Sequence, residues 1–262
     1  MKIARFSTEG EAPQFGIVDA DHLVVLTGDP MYHGFATTGE RVPLAQARIL
    51  APVIPRSKVV CVGMNYAAHA AEMGHDVAET PLIFMKPNTA VIGPGEPIIL
   101  PPVEGRITHE GELVIVIGAI AKRVKPEDWK DVVFGYTIGN DVSARDVMFA
   151  DGQWARAKGY DTFAPIGPYI ETDLDPTNLE IETFVDGELR RKGNTNDFIH
   201  SIPDIIAFIT DAWTLLPGDI IMTGTPNGLG GFVDGQTVEI HIEGLGVLSN
   251  PAKNRDDRLD PA

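Results

Sequence analysis

Glu110 and Glu112 stand two residues apart at the head of the apolar run Leu113-Val114-Ile115-Val116-Ile117. A strand turns residues two apart to one face, so the two carboxylates lie side by side there. Like charges that close disfavour each other unless one is protonated or a cation lies between them. A third acid, Asp141, ends the apolar stretch Tyr136-Thr137-Ile138-Gly139-Asn140. Each piece alone also has a plain reading, a solvated strand end in the first case and an Asn-Asp turn in the second. Together they supply three carboxylates from two strand ends. Such oxygen-only donors suit Mg²⁺ or Mn²⁺, with Ca²⁺ as a substitute, and not Zn²⁺. Three protein ligands leave positions for water and a chelating substrate.

Two lysines accompany the acids. Lys158 lies between the aromatics Trp154 and Tyr160, where it either pairs with Asp161 or stabilises an oxyanion. Lys86 follows Leu82-Ile83-Phe84-Met85 and precedes a proline, so it also reads as a strand-end charge. The alanine-rich segment Asn65-Tyr66-Ala67-Ala68-His69-Ala70-Ala71-Glu72 suits a short helix. His69 and Glu72, three apart, share its face. A histidine oriented by a carboxylate is an arrangement that activates water, and the pair is equally at home on an ordinary surface helix. Gly63 and Gly74 flank the segment and allow it to move as a lid.

The elements that must hold these groups are mostly strands. Segments 58–62, 82–85, 112–117, 132–138, 179–185, 219–223 and 237–242 are short, apolar or alternating, and bounded by Gly, Pro or Asp. Asp186-Gly187 is a hairpin signal between two strand-like pieces. One helix is clear: Ser201 caps it, Asp204 follows three residues on, and Ile202, Ile205, Ile206, Ile209 and Trp213 keep helical spacing up to Pro217-Gly218. No βαβ alternation is sustained, which counts against a doubly wound sheet. A mainly β architecture with a few helices is expected. Residues 1–55 read as a small β-rich N-terminal domain, 56–250 as the metal-binding catalytic domain, and 251–262 as a loose tail.

Bulk properties narrow the partners. The formal net charge of −16 repels phosphate backbones, so nucleic acid is not an expected partner. An anionic substrate then needs a local cation. The single cysteine, Cys61, lies in an apolar run and excludes an internal disulfide. No apolar run is long enough for a bilayer and no signal peptide is visible, so no membrane partner and a cytoplasmic location are expected.

Taken in order, the pieces resemble the fumarylacetoacetate hydrolase family. The matching segments are Gly63-Met64-Asn65-Tyr66 with His69 and Glu72, Phe84-Met85-Lys86-Pro87, Glu110-Gly111-Glu112-Leu113, Asn140-Asp141-Val142-Ser143-Ala144-Arg145-Asp146, Lys158-Gly159-Tyr160-Asp161-Thr162 and Gly224-Thr225-Pro226-Asn227-Gly228. The resemblance runs from about Arg56 to Pro251. It implies a mixed β-sandwich roll with a small N-terminal domain, usually a homodimer. It assigns metal binding to Glu110, Glu112 and Asp141, puts Lys158 and Thr225 beside the substrate, and puts His69 and Glu72 on a lid that orders over it. Lys86 and Arg145 are expected to bind or orient the substrate.

Family members differ in chemistry. Some hydrolyse acylpyruvates, some decarboxylate oxaloacetate, and some isomerise or decarboxylate the dienedioates of aromatic catabolism, so fold alone does not choose. All three routes share a 2-oxo acid and its enolate, stabilised by the metal as a Lewis acid. The leading expectation is divalent-metal-dependent C–C cleavage of a small 2-oxo acid, by acylpyruvate hydrolysis or oxaloacetate decarboxylation. The enzyme alternative is 2-hydroxyhepta-2,4-diene-1,7-dioate isomerisation, and the non-enzyme alternative is a metal-stabilised binding protein. One departure weakens the first. Many of the hydrolases and decarboxylases carry Gln where this chain has Met148, which cannot donate the same hydrogen bond.

Overall fold

Runs of β-branched residues bounded by turn formers are expected to fold as strands, and all seven segments named above do so. This holds in a computed structural model that describes residues 1–72, 74, 77–228 and 230–256. The heart of a 12-stranded sheet is Gly111–Ile117, buried at every position. A strand covered on both faces reads as a continuous apolar run, which is what Leu113 to Ile117 shows. It pairs antiparallel with Val133–Asn140 on one side and with Ile220–Met222 on the other. Beyond Ile220–Met222 come Val59–Gly63, parallel, and Leu82–Lys86, antiparallel.

Beyond Val133–Asn140 come Ala164–Glu171 and then Lys2–Ser7. The N-terminal strands Gln14–Asp19, His22–Leu26 and Thr37–Pro43 continue the same sheet from there. A five-stranded sheet faces it, in the order Glu188–Asn194, Glu180–Val185, Thr237–Ile242, Gly246–Asn254, Ile98–Leu100. Asp186 and Gly187 turn the first pair at positive φ, 51° and 79°, as a type I′ hairpin requires.

The main core fills the gap between the sheets. Leu113, Ile115 and Ile138 meet Ile181, Ile240 and Leu248 across it, and Ile205, Ile206 and Ile209 close it from the helix Ile202–Ala212. Each such side chain contributes on the order of 1.5–3 kcal/mol by leaving water. Ser201 caps that helix by accepting from the Asp204 N–H. The helix ends earlier than its spacing suggested. Trp213 is already extended, because Leu215 exchanges backbone hydrogen bonds with Ala121 at 2.9 and 3.0 Å.

Two further expectations need correction. The tail does not begin at residue 251, since Gly246–Asn254 is a strand paired with Thr237–Ile242 and Ile98–Leu100. Residues 257–262 lie outside the described residues. Ala164–Glu171 is absent from the expected strands, and Pro165 and Pro168 in it each lack a ladder donor. It is nevertheless held between Val133–Asn140 and Lys2–Ser7, with an irregular register on the first side. No helix among the described residues is long and apolar enough to cross a membrane.

Candidate functional site

The antiparallel register brings the acids together. Gly111 stands opposite Asn140, so Glu110, just before one strand, meets Asp141, just after the other. The Asp141 N–H donates to the Glu110 carbonyl at 2.8 Å, and the Glu110 N–H donates to Asn140 Oδ1 at 2.9 Å. Glu112 lies one pleat further in. The three carboxylates are 4%, 2% and 1% exposed, and one oxygen from each falls within 4.8 Å of the others, a grouping that could hold a metal ion.

Three buried acids need positive charge nearby, and the chain supplies part of it. Lys158 Nζ donates to Glu110 Oε2 at 2.7 Å and Asp141 Oδ2 at 2.6 Å. Its partner is therefore the acidic centre and not Asp161. Lys86 Nζ donates to the other Asp141 oxygen and to the Val142 carbonyl. Arg145 Nη1 lies 3.7 Å from Glu110 Oε1. Glu112 accepts the Gly224 N–H at 2.8 Å and has no ion pair among the described residues.

The ionisation balance follows. Burial works against the charge on Glu110, but Lys158 and then Arg191 outweigh it and hold the carboxyl at about 2. Burial also opposes the Lys158 ammonium, but Asp141 and Glu110 hold it above its ordinary value. For Glu112 burial adds to the repulsion of Asp141 and Glu110, pushing its carboxyl well above the usual range. A divalent cation between the three oxygens would reverse that for Glu112, so this donor set fits a hard, oxygen-seeking ion.

The remaining expected residues gather around the same space. His69, Arg145, Lys158 and Thr225 line one cavity with the three acids, and Met148 and Trp154 form its apolar wall. Its interior is about 20 Å³, room for roughly one water. Lys86 does not line it. The lysine's side chain is wholly buried behind Asp141, so its expected contact with substrate gives way to one with that carboxylate. The helix Ala67–Glu72 carries His69 into the wall, with Nδ1 3.3 Å from Glu72 Oε2. Glu72 also accepts the Gly228 N–H, at 3.0 and 3.2 Å, which ties this helix to the loop after Thr225. Burial holds the His69 imidazole below its ordinary pKa, so it is neutral at neutral pH. Gly63 is also required for packing. A Cβ there would come within 2.6 Å of both Leu82 and Trp154.

Several residues at the site carried no such signal in the sequence. Phe84 and Trp154 meet edge to face at 5.1 Å, and the Lys158 ammonium lies 5.1 and 5.7 Å from their ring centres. Asn65 donates to the His200 and Thr223 carbonyls and accepts the His200 N–H, fixing the entry to the helix Ala67–Glu72 against the Gly224 turn. Arg191 and His109 are buried beside the acids, and burial together with Arg191 lowers the His109 pKa to about 3. These contacts join segments remote in sequence, so no local pattern shows them.

A family model described as the fumarylacetoacetate (FAA) hydrolase C-terminal region matches residues 58–253, and an Rv2993c-like N-terminal model matches residues 1–52. The chain belongs to the fumarylacetoacetate hydrolase family. Among solved structures, the fold is similar to a 5-carboxymethyl-2-hydroxymuconate delta-isomerase from Mycobacterium smegmatis. The identity is 44% and the TM-score 0.91, covering 97% of this chain and 100% of that one. It is also similar to a maleylpyruvate hydrolase from Sphingobium sp. SYK-6 in complex with manganese(II) and pyruvate. Here the identity is 34% and the TM-score 0.81, covering 98% and 100%. A mitochondrial oxaloacetate tautomerase of Rattus norvegicus is 41% identical over 80% of this chain and 70% of its own length. Fumarylacetoacetate hydrolase family members thus include hydrolases, isomerases and tautomerases of small organic acids.

Proposed function

We propose that this protein is a divalent-metal-dependent enzyme that moves a proton at the carbon next to the 2-oxo group of a small acid, interconverting keto and enol or dienol forms. One observation carries the reading. A neutral, carboxylate-oriented histidine, a buried lysine and three metal-competent carboxylates line a single cavity. Mg²⁺ or Mn²⁺ held by Glu110, Glu112 and Asp141 would act there as a Lewis acid toward the 2-oxo oxygen.

The chain's own groups divide the remaining work. Lys158 and Lys86 hold Glu110 and Asp141 in place, and Lys158 offers a donor toward developing negative charge. His69, kept neutral by burial and oriented by Glu72, accepts the proton at carbon and returns it. Arg145 and Thr225 line the cavity where a carboxylate and an oxo group would be oriented. Met148 and Trp154 give the cavity an apolar wall, and Met148 cannot donate the hydrogen bond of the Gln that many of the hydrolases carry there, which supports proton transfer over hydrolysis.

The second reading is C–C cleavage through the same enolate, by hydrolysis of an acylpyruvate or decarboxylation of oxaloacetate. Similarity to the maleylpyruvate hydrolase favours it. A spectrophotometric panel with Mg²⁺ or Mn²⁺ tests both, using oxaloacetate enol–keto exchange, a 2-hydroxy-dienedioate, acetylpyruvate and fumarylpyruvate. Proton exchange or isomerisation outrunning cleavage is the expected result. Cleavage as the faster reaction on every substrate would replace the first reading with the second.

A further inference from the structure

Just behind Thr225, and not used by the chemistry above, is a cluster of buried polar atoms with no partner. Arg191, on the strand Glu188–Asn194, is 2% exposed. Its Nη1 donates to the Pro226 carbonyl at 2.6 Å and lies 3.4 Å from Thr225 Oγ1. Its Nε and Nη2 have no hydrogen-bond partner among the described residues. Nor does Arg191 have a carboxylate within ion-pair distance among them. Both ring nitrogens of His109, which is wholly buried, also lack a partner among these residues, and so does Thr183 Oγ1.

These groups are neighbours. Thr183 stands opposite Arg191 in the strand register. A Cβ on Gly111 would fall 2.5 Å from Thr183 Oγ1, which places that hydroxyl against the residue between Glu110 and Glu112. His109 precedes Glu110 directly. A Cβ on Gly230 would lie 3.0 Å from His109 Nε2, and one on Gly228 would lie 2.8 Å from Arg191 Cγ. The loop after Thr225 therefore covers both residues closely.

Buried polar groups in native proteins almost always find partners, so a cluster of orphans packed behind Thr225, which itself lines the acid-lined cavity, points to something that binds there. The free atoms define its chemistry. Nε–H and Nη2–H form the side-on edge of the guanidinium, two parallel donors that match the two oxygens of one carboxylate. Glu110, Glu72 and Glu112 act on this charge only from beyond ion-pair distance, so the free edge suits an anion better than a neutral acceptor. In a chain of formal net charge −16, a buried cation with a free edge is also a selective feature. Thr225 is the shared boundary, touching Arg191 on one side and lining the acid-lined cavity on the other.

We propose that Arg191, with His109 and Thr183 beside it, receives a second carboxylate of the substrate. The natural substrate is then a 2-oxo dicarboxylic acid, with one end at the acidic centre and the other at the guanidinium edge. This assignment rests on the 2-oxo acid reading and narrows it, because a monocarboxylic acylpyruvate such as acetylpyruvate would leave the arginine edge empty.

Calorimetric titration of the full chain with Mg²⁺ tests it, using pairs that cannot be cleaved and that differ only at the far end. The pairs are 2-oxoglutarate against 2-oxovalerate, and 2-oxoadipate against 2-oxohexanoate. Wild type should prefer the diacid of at least one pair by roughly 100-fold, as expected for a charge-assisted bidentate contact. Arg191→Gln should collapse that preference to within roughly threefold, and Arg191→Lys, which keeps the charge without the fork, should retain part of it. If both members of each pair bind wild type equally, or if the preference survives Arg191→Gln, the arginine assignment falls and the 2-oxo acid reading stands. If no 2-oxo acid binds wild type, both fall together.

Discussion

At the scale of single residues, the site is a balance of buried charges, and removing any one of them has a signed consequence. Glu112→Ala deletes the one acid of the three that has no ion pair among the described residues. Wild type should gain thermal stability on adding Mn²⁺ by ligand linkage. The variant should fold and lose that gain, which a melting series with and without Mn²⁺ will show. Lys158→Met leaves Glu110 and Asp141 facing each other in a buried setting. Its rate should fall by about 10²–10³, the usual effect of losing one donor to a developing oxyanion. Its melting temperature should drop further without Mn²⁺ than with it, because the ion replaces part of the lost positive charge. An equal drop in both conditions would separate the lysine from the acids.

Much of this centre was legible in the sequence. Period-two spacing places Glu110 and Glu112 on one face, and strand ends carry loop chemistry. The choice between Asp161 and the acids as the Lys158 partner was not legible, since it depends on how the helix Ala155–Lys158 packs over a strand remote in sequence. Arg191 was hidden for a related reason. It sits in the charged run Glu188-Leu189-Arg190-Arg191-Lys192, and only the fold says which one turns inward.

At the scale of elements, the short helix Ala67–Glu72 and the Asp219 staple allow separate tests. General-base catalysis commonly contributes about 10²–10⁴ in rate, so His69→Ala should slow proton exchange by about that factor. Decarboxylation of oxaloacetate should fall less, because the departing carboxylate supplies the electron pair. Assaying both reactions on one preparation decides it. Equal losses would reduce the helix to a cover.

Asp219 is fully buried and joins two segments, its own turn after Leu216 and the Ser57-Lys58 pair. It accepts from the Ser57 and Lys58 N–H groups at 3.0 Å, from the Leu216 N–H at 2.9 Å, and pairs with Lys58 Nζ at 3.1 Å. Burial alone would raise its carboxyl, but these bonds outweigh that and hold it below the ordinary value. A folded-state pKa below the unfolded one stabilises above the ordinary carboxylate range, and that contribution is lost as pH falls through the lowered value. Asp219→Ala should therefore cost about 2–4 kcal/mol at neutral pH, and its deficit against wild type should shrink in acid. Denaturant melts at neutral and acidic pH provide the measurement. The strands that Asp219 links were visible as apolar runs, whereas the premature end of the helix Ile202–Ala212 was not. The bridge between Leu215 and Ala121 that ends it is a tertiary contact with no local signature.

At the scale of the molecule, residues 1–52 have their own family match yet share a sheet with the remainder through Lys2–Ser7 and Ala164–Glu171. Shared backbone pairing and packing of Ile3 against Ile166 and Ile170 should make the chain unfold as one cooperative unit. Calorimetry should give a single transition, and two resolved peaks would mean that the shared edge is weak. Deleting the first 52 residues should expose the edge of Ala164–Glu171 and promote association.

The clasp between Glu72 and Gly228 has a consequence for timing. A helix of six residues cannot hold itself together in water. Its order comes from what it touches, while the space beneath it admits roughly one water. If substrate enters past this helix, the frequency of its opening is the ceiling of the turnover number. The same openings expose the backbone amides of residues 67–72 to solvent deuterium. They should exchange well before those of Gly111–Ile117, and a bound diacid with Mg²⁺ should slow them while leaving the central strand unchanged. Mass-resolved exchange would then read the gate directly, without any chemistry taking place.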